Sequence, residues 1–329
     1  MRWLSGLLVA VALAIPSVAF ADGAASSRAG ASPAARASAA AELTLTPALV
    51  NGSVDAIISD AAWQLNGVVS TYVAHQRVVL HVFRDGVRVI TRTLKIRRHG
   101  HHGVFSASLR VGGIGRLTVR AIHSATPAQG RLVSRTFGLW LVAPGVLPGQ
   151  QSYAVRVLQY QLSALHYVVG APGVYDDRTQ RAVLAFRKMV GLARTEQADP
   201  SVFSALAAGE GAFPVRFPSH GRHVEADLTH QVLALIDAGG VVARLYPVSS
   251  GKPSTPTALG SFSVYRKDFG TNAVGMVDSN YFNGGDAIHG YAEVPTYAAS
   301  HGCLRVPIPD APDIYSWVQF GTPVDVYYR

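Results

Sequence analysis

Apolar and polar positions alternate with a period of two through much of the first half of the chain. Arg77-Val78-Val79-Leu80-His81-Val82-Phe83 is followed by Asp85-Gly86 and then Val87-Arg88-Val89-Ile90. Two β-rich runs on either side of Asp-Gly predict a hairpin, because so tight a turn needs positive φ. Leu117, Val119 and Ala121 alternate with polar neighbours, and residues 136–142 supply another strand. Short strands across residues 43–143 predict a small β-sandwich, immunoglobulin-like in layout. The period then changes. Val155, Leu158, Leu162 and Leu165 recur at helical spacing, and Ala182, Val183, Phe186 and Val190 form a second apolar stripe. Asp177 and Gln180 stand as a variant capping box at the start of that second stripe, and Gly191 stands at its end. Residues 145–208 therefore read as a small all-α domain. Strand patterning returns in the last stretch with Val224, Leu228, Val232, Leu233, Leu235 and Ile236. A hairpin turn at Gly239-Gly240 and a closing strand over residues 324–328 complete a mostly-β C-terminal domain.

Composition agrees with a multidomain folded protein: 329 residues, 49% of them apolar and 15% charged. Met1-Arg2, the apolar run over residues 3–15, Pro16 and Ala19-Phe20-Ala21 read as a secretory signal over residues 1–21, cleaved after Ala21. That run is too short to span a bilayer. The chain is thus expected in the cell envelope or wall, with residues 22–42, rich in Ala and Ser, as a flexible leader. Residues 22–142 hold 14 Lys and Arg against 5 Asp and Glu, whereas residues 143–329 hold 14 against 15. The basic surplus lies in the β region, where it would favour an anionic envelope polymer as partner; export argues against nucleic acid. Arg97, Arg98, His99, His101 and His102, interrupted by Gly100 and Gly103, read as a loop tip rather than a metal site.

Cys303 is the only thiol, so no intrachain disulfide can form. An unpaired thiol in an exported chain is a liability unless it is protected or used. His301 lies two residues from it, and His289 precedes it by 14, followed at once by Gly290. A thiol needs an imidazole within reach to act as a nucleophile near neutral pH. Gly302 would let a substrate approach the backbone, N–H groups around Cys303 would stabilise an oxyanion, and Arg305 offers a planar fork for a carboxylate. Spacing alone leaves open whether His289 or His301 touches sulfur.

Two resemblances follow. Val157-Leu158-Gln159, Leu162, Leu165-His166-Tyr167, Gly173-Val174-Tyr175, Thr179, Ala182-Val183, Phe186 and Gly191-Leu192 resemble the three-helix peptidoglycan-binding domain. Ile288-His289-Gly290 with Ser300-His301-Gly302-Cys303-Leu304-Arg305 resembles the signature of the L,D-transpeptidases, whose catalytic domain is of YkuD type. Upstream, Ser249-Ser250-Gly251-Lys252-Pro253-Ser254-Thr255-Pro256-Thr257 and Gly260-Ser261-Phe262 match that family's loop and strand, so the resemblance covers residues 221–329.

The resemblance implies Cys303 as nucleophile, His289 as general base and acid, and a Gly290 carbonyl that orients the imidazole. Ser300, His301 and Gly302 would shape the oxyanion pocket; Arg305, with Tyr281, Phe282 and Met276, would bind substrate. It implies peptidoglycan stem peptides as donor and acceptor, a thioester that releases D-Ala, and a 3→3 crosslink, with neither metal nor organic cofactor. Water in place of the acceptor would make the enzyme an L,D-carboxypeptidase, and a noncatalytic wall-binding scaffold is the reading from another functional class. Two further expectations concern behaviour. The helical domain is expected to tether the enzyme to peptidoglycan strands, its loss costing retention more than turnover. A thiolate–imidazolium pair is expected to keep Cys303 alkylatable below the free-thiol value of about 8.5.

Overall fold

The computed structural model describes residues 42–48 and 55–329. The signal and all of the leader except Glu42 lie outside the described residues. The first ten strands are β1 (Leu43–Ala48), β2 (Ala56–Ile58), β3 (Ala62–Val69), β4 (Arg77–Arg84), β5 (Val87–Lys95), β6 (Arg97–His99), β7 (His102–Arg110), β8 (Gly115–His123), β9 (Leu132–Val133) and β10 (Phe137–Val142). They form two sheets, ordered β1-β3-β7-β6 and β2-β10-β8-β4-β5 with β9 on β8. Period-two alternation turns Leu65, Leu80, Leu117 and Leu139 into one core between the sheets. Asp85 and Gly86 take φ of 48° and 81°, the tight turn their identities favour. The Arg- and His-rich segment is a second hairpin, β6 returning as β7 through Gly100.

Three helices follow: α1 (Tyr153–Ala164), α2 (Asp177–Met189) and α3 (Pro200–Ala207). Ser152, Asp176 and Asp199 cap them through side-chain oxygens. The cap of α2 is Asp176, one residue before the expected Asp177: its carboxylate accepts the Thr179 N–H at 2.9 Å. Asp177 is instead the first helical residue, where its charge suits the positive end of the helix.

The remaining elements are β11 (His223–Asp227), β12 (Val232–Asp237), β13 (Val241–Pro247), β14 (Gly260–Ser263), β15 (Arg266–Thr271), β16 (Val277–Asn283), β17 (Asp286–Tyr291), β18 (Leu304–Pro307), α4 (Ala311–Trp317) and β19 (Pro323–Tyr327). They build a sheet ordered β13-β12-β11-β19-β14 and a second ordered β15-β16-β17-β18. Val224, Leu233, Leu235, Ile288, Leu304 and Val306 fill the core between these sheets.

Strand β12 is buried on both faces. Leu233 and Leu235 enter the core just described, while Val232, Ala234 and Ile236, with Leu245 of β13, join a core made by the three helices. That core also takes Ala56 and Ile58 from the sandwich. Polar contacts reinforce it. The Arg181 guanidinium of α2 pairs with the Asp310 carboxylate through two bonds of 2.8 Å, and the Leu245 N–H donates to the His166 carbonyl at 2.9 Å. The helices therefore share a hydrophobic core with the strands of the C-terminal domain.

Lys188 of α2 is 2% exposed and donates from Nζ to the Gln231 and Val248 carbonyls at 3.1 and 2.9 Å. Burial pushes its ammonium down to about 7, with the Arg194 charge adding to the shift. Between that value and the ordinary lysine range the unfolded chain binds more protons than the folded one, so stability rises with pH there. Urea unfolding midpoints should thus be higher at pH 9 than at pH 7, and Lys188→Met should flatten that rise. An unchanged slope in the variant would remove Lys188 as its source.

Candidate active site

Strands β17 and β18 run parallel, with Ile288 opposite Leu304 and His289 opposite Arg305. Continuing that register sets Cys303 level with Ala287. Ile288 and Leu304 point into the core, so Ala287, His289, Cys303 and Arg305 share the other face. Cys303 and His289 are diagonal neighbours on it, roughly 7–8 Å apart at Cα and within side-chain reach.

The His289 ring is buried, with Nδ1 2.9 Å from the Gly290 carbonyl oxygen. A carbonyl only accepts, so Nδ1 carries the proton and Nε2 is left with the lone pair. Burial pushes the imidazole pKa down; the Gly290 carbonyl raises it and Arg305 lowers it further. Gly290 also has to be glycine, because a Cβ there would lie 2.8 Å from the Ala311 side chain. Cys303 is half-buried, its Sγ 3.7 Å from the Gly285 carbonyl. Burial pushes the thiol up; the Ala287 N–H opposes this, Asp286 reinforces it and Arg305 opposes it. Both shifts favour the neutral thiol beside the neutral imidazole, against the expected resting ion pair. Alkylation of Cys303 by iodoacetamide should accordingly rise only above the free-thiol value of about 8.5. A reactive plateau reaching below neutral pH would restore the ion pair.

The turn into Cys303 is held from the Ser249–Thr257 side. Ser300 is fully buried; its N–H donates to the Ser250 carbonyl at 2.9 Å, and its carbonyl accepts from Lys252 N–H and the Thr255 hydroxyl. Its own hydroxyl donates to the Cys303 carbonyl at 2.6 Å and accepts the Gly302 N–H at 3.1 Å. The Gly302 N–H is thus engaged within the turn; among the described residues none takes that of Cys303, the donor left for an oxyanion. Gly302 sits at φ 128°, and a Cβ there would lie 2.2 Å from an Asp286 carboxylate oxygen. The Gln231 side chain bonds the Ser250 N–H and hydroxyl at 2.8 and 2.7 Å, and Lys188 holds the Gln231 carbonyl. A chain of hydrogen bonds therefore runs from α2 to the cysteine turn.

The remaining predicted residues divide. Arg305 is half-buried, its guanidinium 4.2 Å from the Tyr291 ring centroid and its Nε without a partner among the described residues. His301 points outward, its Nε2 3.1 Å from Lys252 Nζ, away from the face of Cys303 and His289. Phe282 was expected at the substrate; it lies in the core, packed on Phe262, because β16 turns it to the same side as Ile288. Tyr281, opposite Ala287, is 6% exposed and covered by the Arg266 guanidinium at 3.7 Å, so substrate contact there requires Arg266 to move. Met276 lies at the β15–β16 turn, one residue before Val277, which pairs with Gly290.

Two residues escaped the sequence reading. The Tyr291 ring stands perpendicular to that of His289 with centroids 5.6 Å apart, and Tyr291 lines a 400 Å³ cavity with Asp177, Arg181 and Glu196 of the helical region; its place two residues beyond His289 on a strand was a usable signal. Asp286 had no local signal, since its closeness to Gly302 exists only across two paired strands.

The face defines a thiol–imidazole site at the end of a parallel strand pair, backed by helices. Comparison with known proteins agrees. The L,D-transpeptidase catalytic domain (YkuD) matches residues 221–326, and a putative peptidoglycan binding domain matches residues 151–206. The crystal structure of an L,D-transpeptidase from Xylanimonas cellulosilytica DSM 15894 is 35% identical, over 56% of this chain and 98% of that one, with a TM-score of 0.52. An L,D-transpeptidase (Yku) from Stackebrandtia nassauensis is 22% identical over 56% of this chain and 95% of its own, with a TM-score of 0.37. No curated protein matches. The chain belongs to the L,D-transpeptidase family, a family of peptidoglycan-modifying acyltransferases. Neither match reaches the sandwich.

Proposed function

We propose that this chain is an exported L,D-transpeptidase that forms 3→3 peptidoglycan crosslinks through a thioester on Cys303. The observation that carries the reading is the shared face: an imidazole with Nε2 left basic by the Gly290 carbonyl, beside the chain's one thiol. As Cys303 Sγ attacks the carbonyl carbon of the third stem residue, its proton passes to His289 Nε2. The tetrahedral oxyanion draws on the Cys303 N–H. Its collapse breaks the C–N bond, and His289 returns the proton to the departing D-Ala amine. An amine of a second stem then attacks the thioester, the C–S bond breaks, and the thiol is restored. Arg305, with its Nε unmet, suits a donor carboxylate. The helical region, matched to a peptidoglycan-binding family, would contact glycan strands.

Mass spectrometry of the intact protein after incubation with a carbapenem tests the thioester chemistry: one adduct on Cys303 is expected. Product analysis with purified tetrapeptide stems then separates crosslinked dimer from tripeptide. Tripeptide alone would make the enzyme a carboxypeptidase, and no adduct with no product would leave a wall-binding scaffold.

A further inference from the structure

The outer face of the β2-β10-β8-β4-β5 sheet lies far in sequence from the site just described, and its chemistry is unusual. His81 stands between Leu80 and Val82, and Arg120 between Val119 and Ala121, all four neighbours fully buried; the imidazole and the guanidinium therefore both point outward. They are direct cross-strand partners. Arg77 is likewise opposite Lys95, and Arg88 is opposite Phe83, whose ring lies 6.3 Å from that of His81. Arg116 is opposite Trp140 and sets its guanidinium 5.1 Å from the indole centroid. Trp140 in turn stacks on Tyr153 of α1 at 5.8 Å.

Like charges placed directly opposite on a sheet destabilise it. Among the described residues no carboxylate pairs with them. Among the described residues every ion pair lies at residue 181 or beyond, and Asp85, in the β4–β5 turn, spends one oxygen on the Arg116 N–H at 2.8 Å. Desolvation first, then the Arg88 and Arg120 charges, hold the His81 pKa below its ordinary value, which places three basic groups in one field. Four strands make this face about 14 Å wide, and the six-residue step from Arg77 to Phe83 spans roughly 20 Å.

We infer that this sheet face is a docking surface for a linear wall polymer with repeating phosphodiester groups. Charge complementarity supplies the attraction, and arginine outnumbers lysine on the face four to one (Arg77, Arg88, Arg116 and Arg120 against Lys95). The guanidinium fork matches two phosphate oxygens where an ammonium offers a point charge. Thr118 stands between the cations and offers a hydroxyl to a polyol backbone, while the Thr91 hydroxyl lies 3.3 Å from His81 Nδ1. Arg77, Arg88, Lys95 and Arg116 are exposed across its strands, fitting a chain laid over the face, and no amphipathic helix of the kind that enters a bilayer lies among these strands. Choosing a wall polymer rests on the peptidoglycan chemistry proposed above; the cationic face itself does not.

The test uses the full chain and fluorescently labelled poly(glycerol phosphate). Binding is expected at low salt and lost at high salt, as screened charges require. Arg88→Ser/Arg120→Ser should weaken it by about tenfold or more, two charge-assisted contacts being removed. The same variant should melt close to wild type, because neither guanidinium makes an ion pair among the described residues, and should crosslink soluble stem peptides at the wild-type rate. Wild-type binding by the variant, or no binding at low salt, overturns the inference. Equal affinity for anionic lipid vesicles or for duplex DNA also overturns it, since the face would then read charge alone. Stem-peptide turnover is scored separately: polymer binding without turnover would sink the transpeptidase reading and leave the docking surface standing.

Discussion

Cys303→Ser is expected to abolish both the carbapenem adduct and crosslinked product while leaving the fold intact. Serine is slightly smaller than cysteine and keeps the fit of the Ser300–Cys303 turn, in which the Cys303 backbone carbonyl, not its sulfur, takes the Ser300 hydroxyl. A hydroxyl is far harder to deprotonate than a thiol, and the His289 imidazole, already pushed down by burial, is a weak base for it. Loss of the nucleophile in an enzyme of this kind costs about 10³-fold or more. The check is dimer yield together with the urea unfolding midpoint. Dimer at the wild-type level would end the thioester mechanism; lost dimer with a lowered midpoint would mean only that the variant unfolds.

Removing residues 145–208 is expected to leave no folded enzyme, rather than an active enzyme that no longer holds the wall. The deletion uncovers Val232, Ala234, Ile236 and Leu245, each no more than 1% exposed, along the back of β12 and β13. Burying side chains of this kind contributes about 1.5–3 kcal/mol for each larger one, so the loss approaches the whole stability of a typical domain, about 5–15 kcal/mol. It also strips Lys188 from the Gln231 and Val248 carbonyls and leaves Asp310 buried without Arg181. Soluble expression and a cooperative unfolding transition are the measurements. A truncated chain that folds cooperatively and turns over soluble stem peptides would show that the helices are a tether after all.

The two variants probe different levels of the same molecule, and sequence reached them unequally. Period-two alternation placed the sandwich strands because each buries one face, and Asp85-Gly86 marked its turn because few other pairs accept positive φ twice. The helical stripes, the hairpin at Gly239-Gly240 and the closing strand were legible for the same reason: each is a local pattern whose physics is complete within about ten residues. Caps and the facing of strands depend on more than a local pattern. Asp176 and Asp177 are adjacent acids, and which one caps α2 depends on a backbone angle that composition does not encode. Phe282 and His289 sit on neighbouring strands, and β-bulges between β16 and β17 make the facing of one a poor guide to the other.

By itself the sequence determined the kinds of chemistry available: one thiol, an imidazole followed by glycine, and a cysteine turn whose small residues tolerate tight packing. Those are properties of residue type and short spacing. Only the tertiary structure decided which histidine shares the sulfur's face, because β17 and β18 run parallel and bring residues 14 apart into diagonal register while His301, two residues away, turns outward to Lys252. It also decided that Gly302 must lack a side chain beside Asp286, that burial pushes the thiol pKa up and the imidazole pKa down, and that the helices share a core with the C-terminal strands. Each of these depends on burial or on contact between segments far apart in the chain, and neither quantity exists until the sheets and helices have packed.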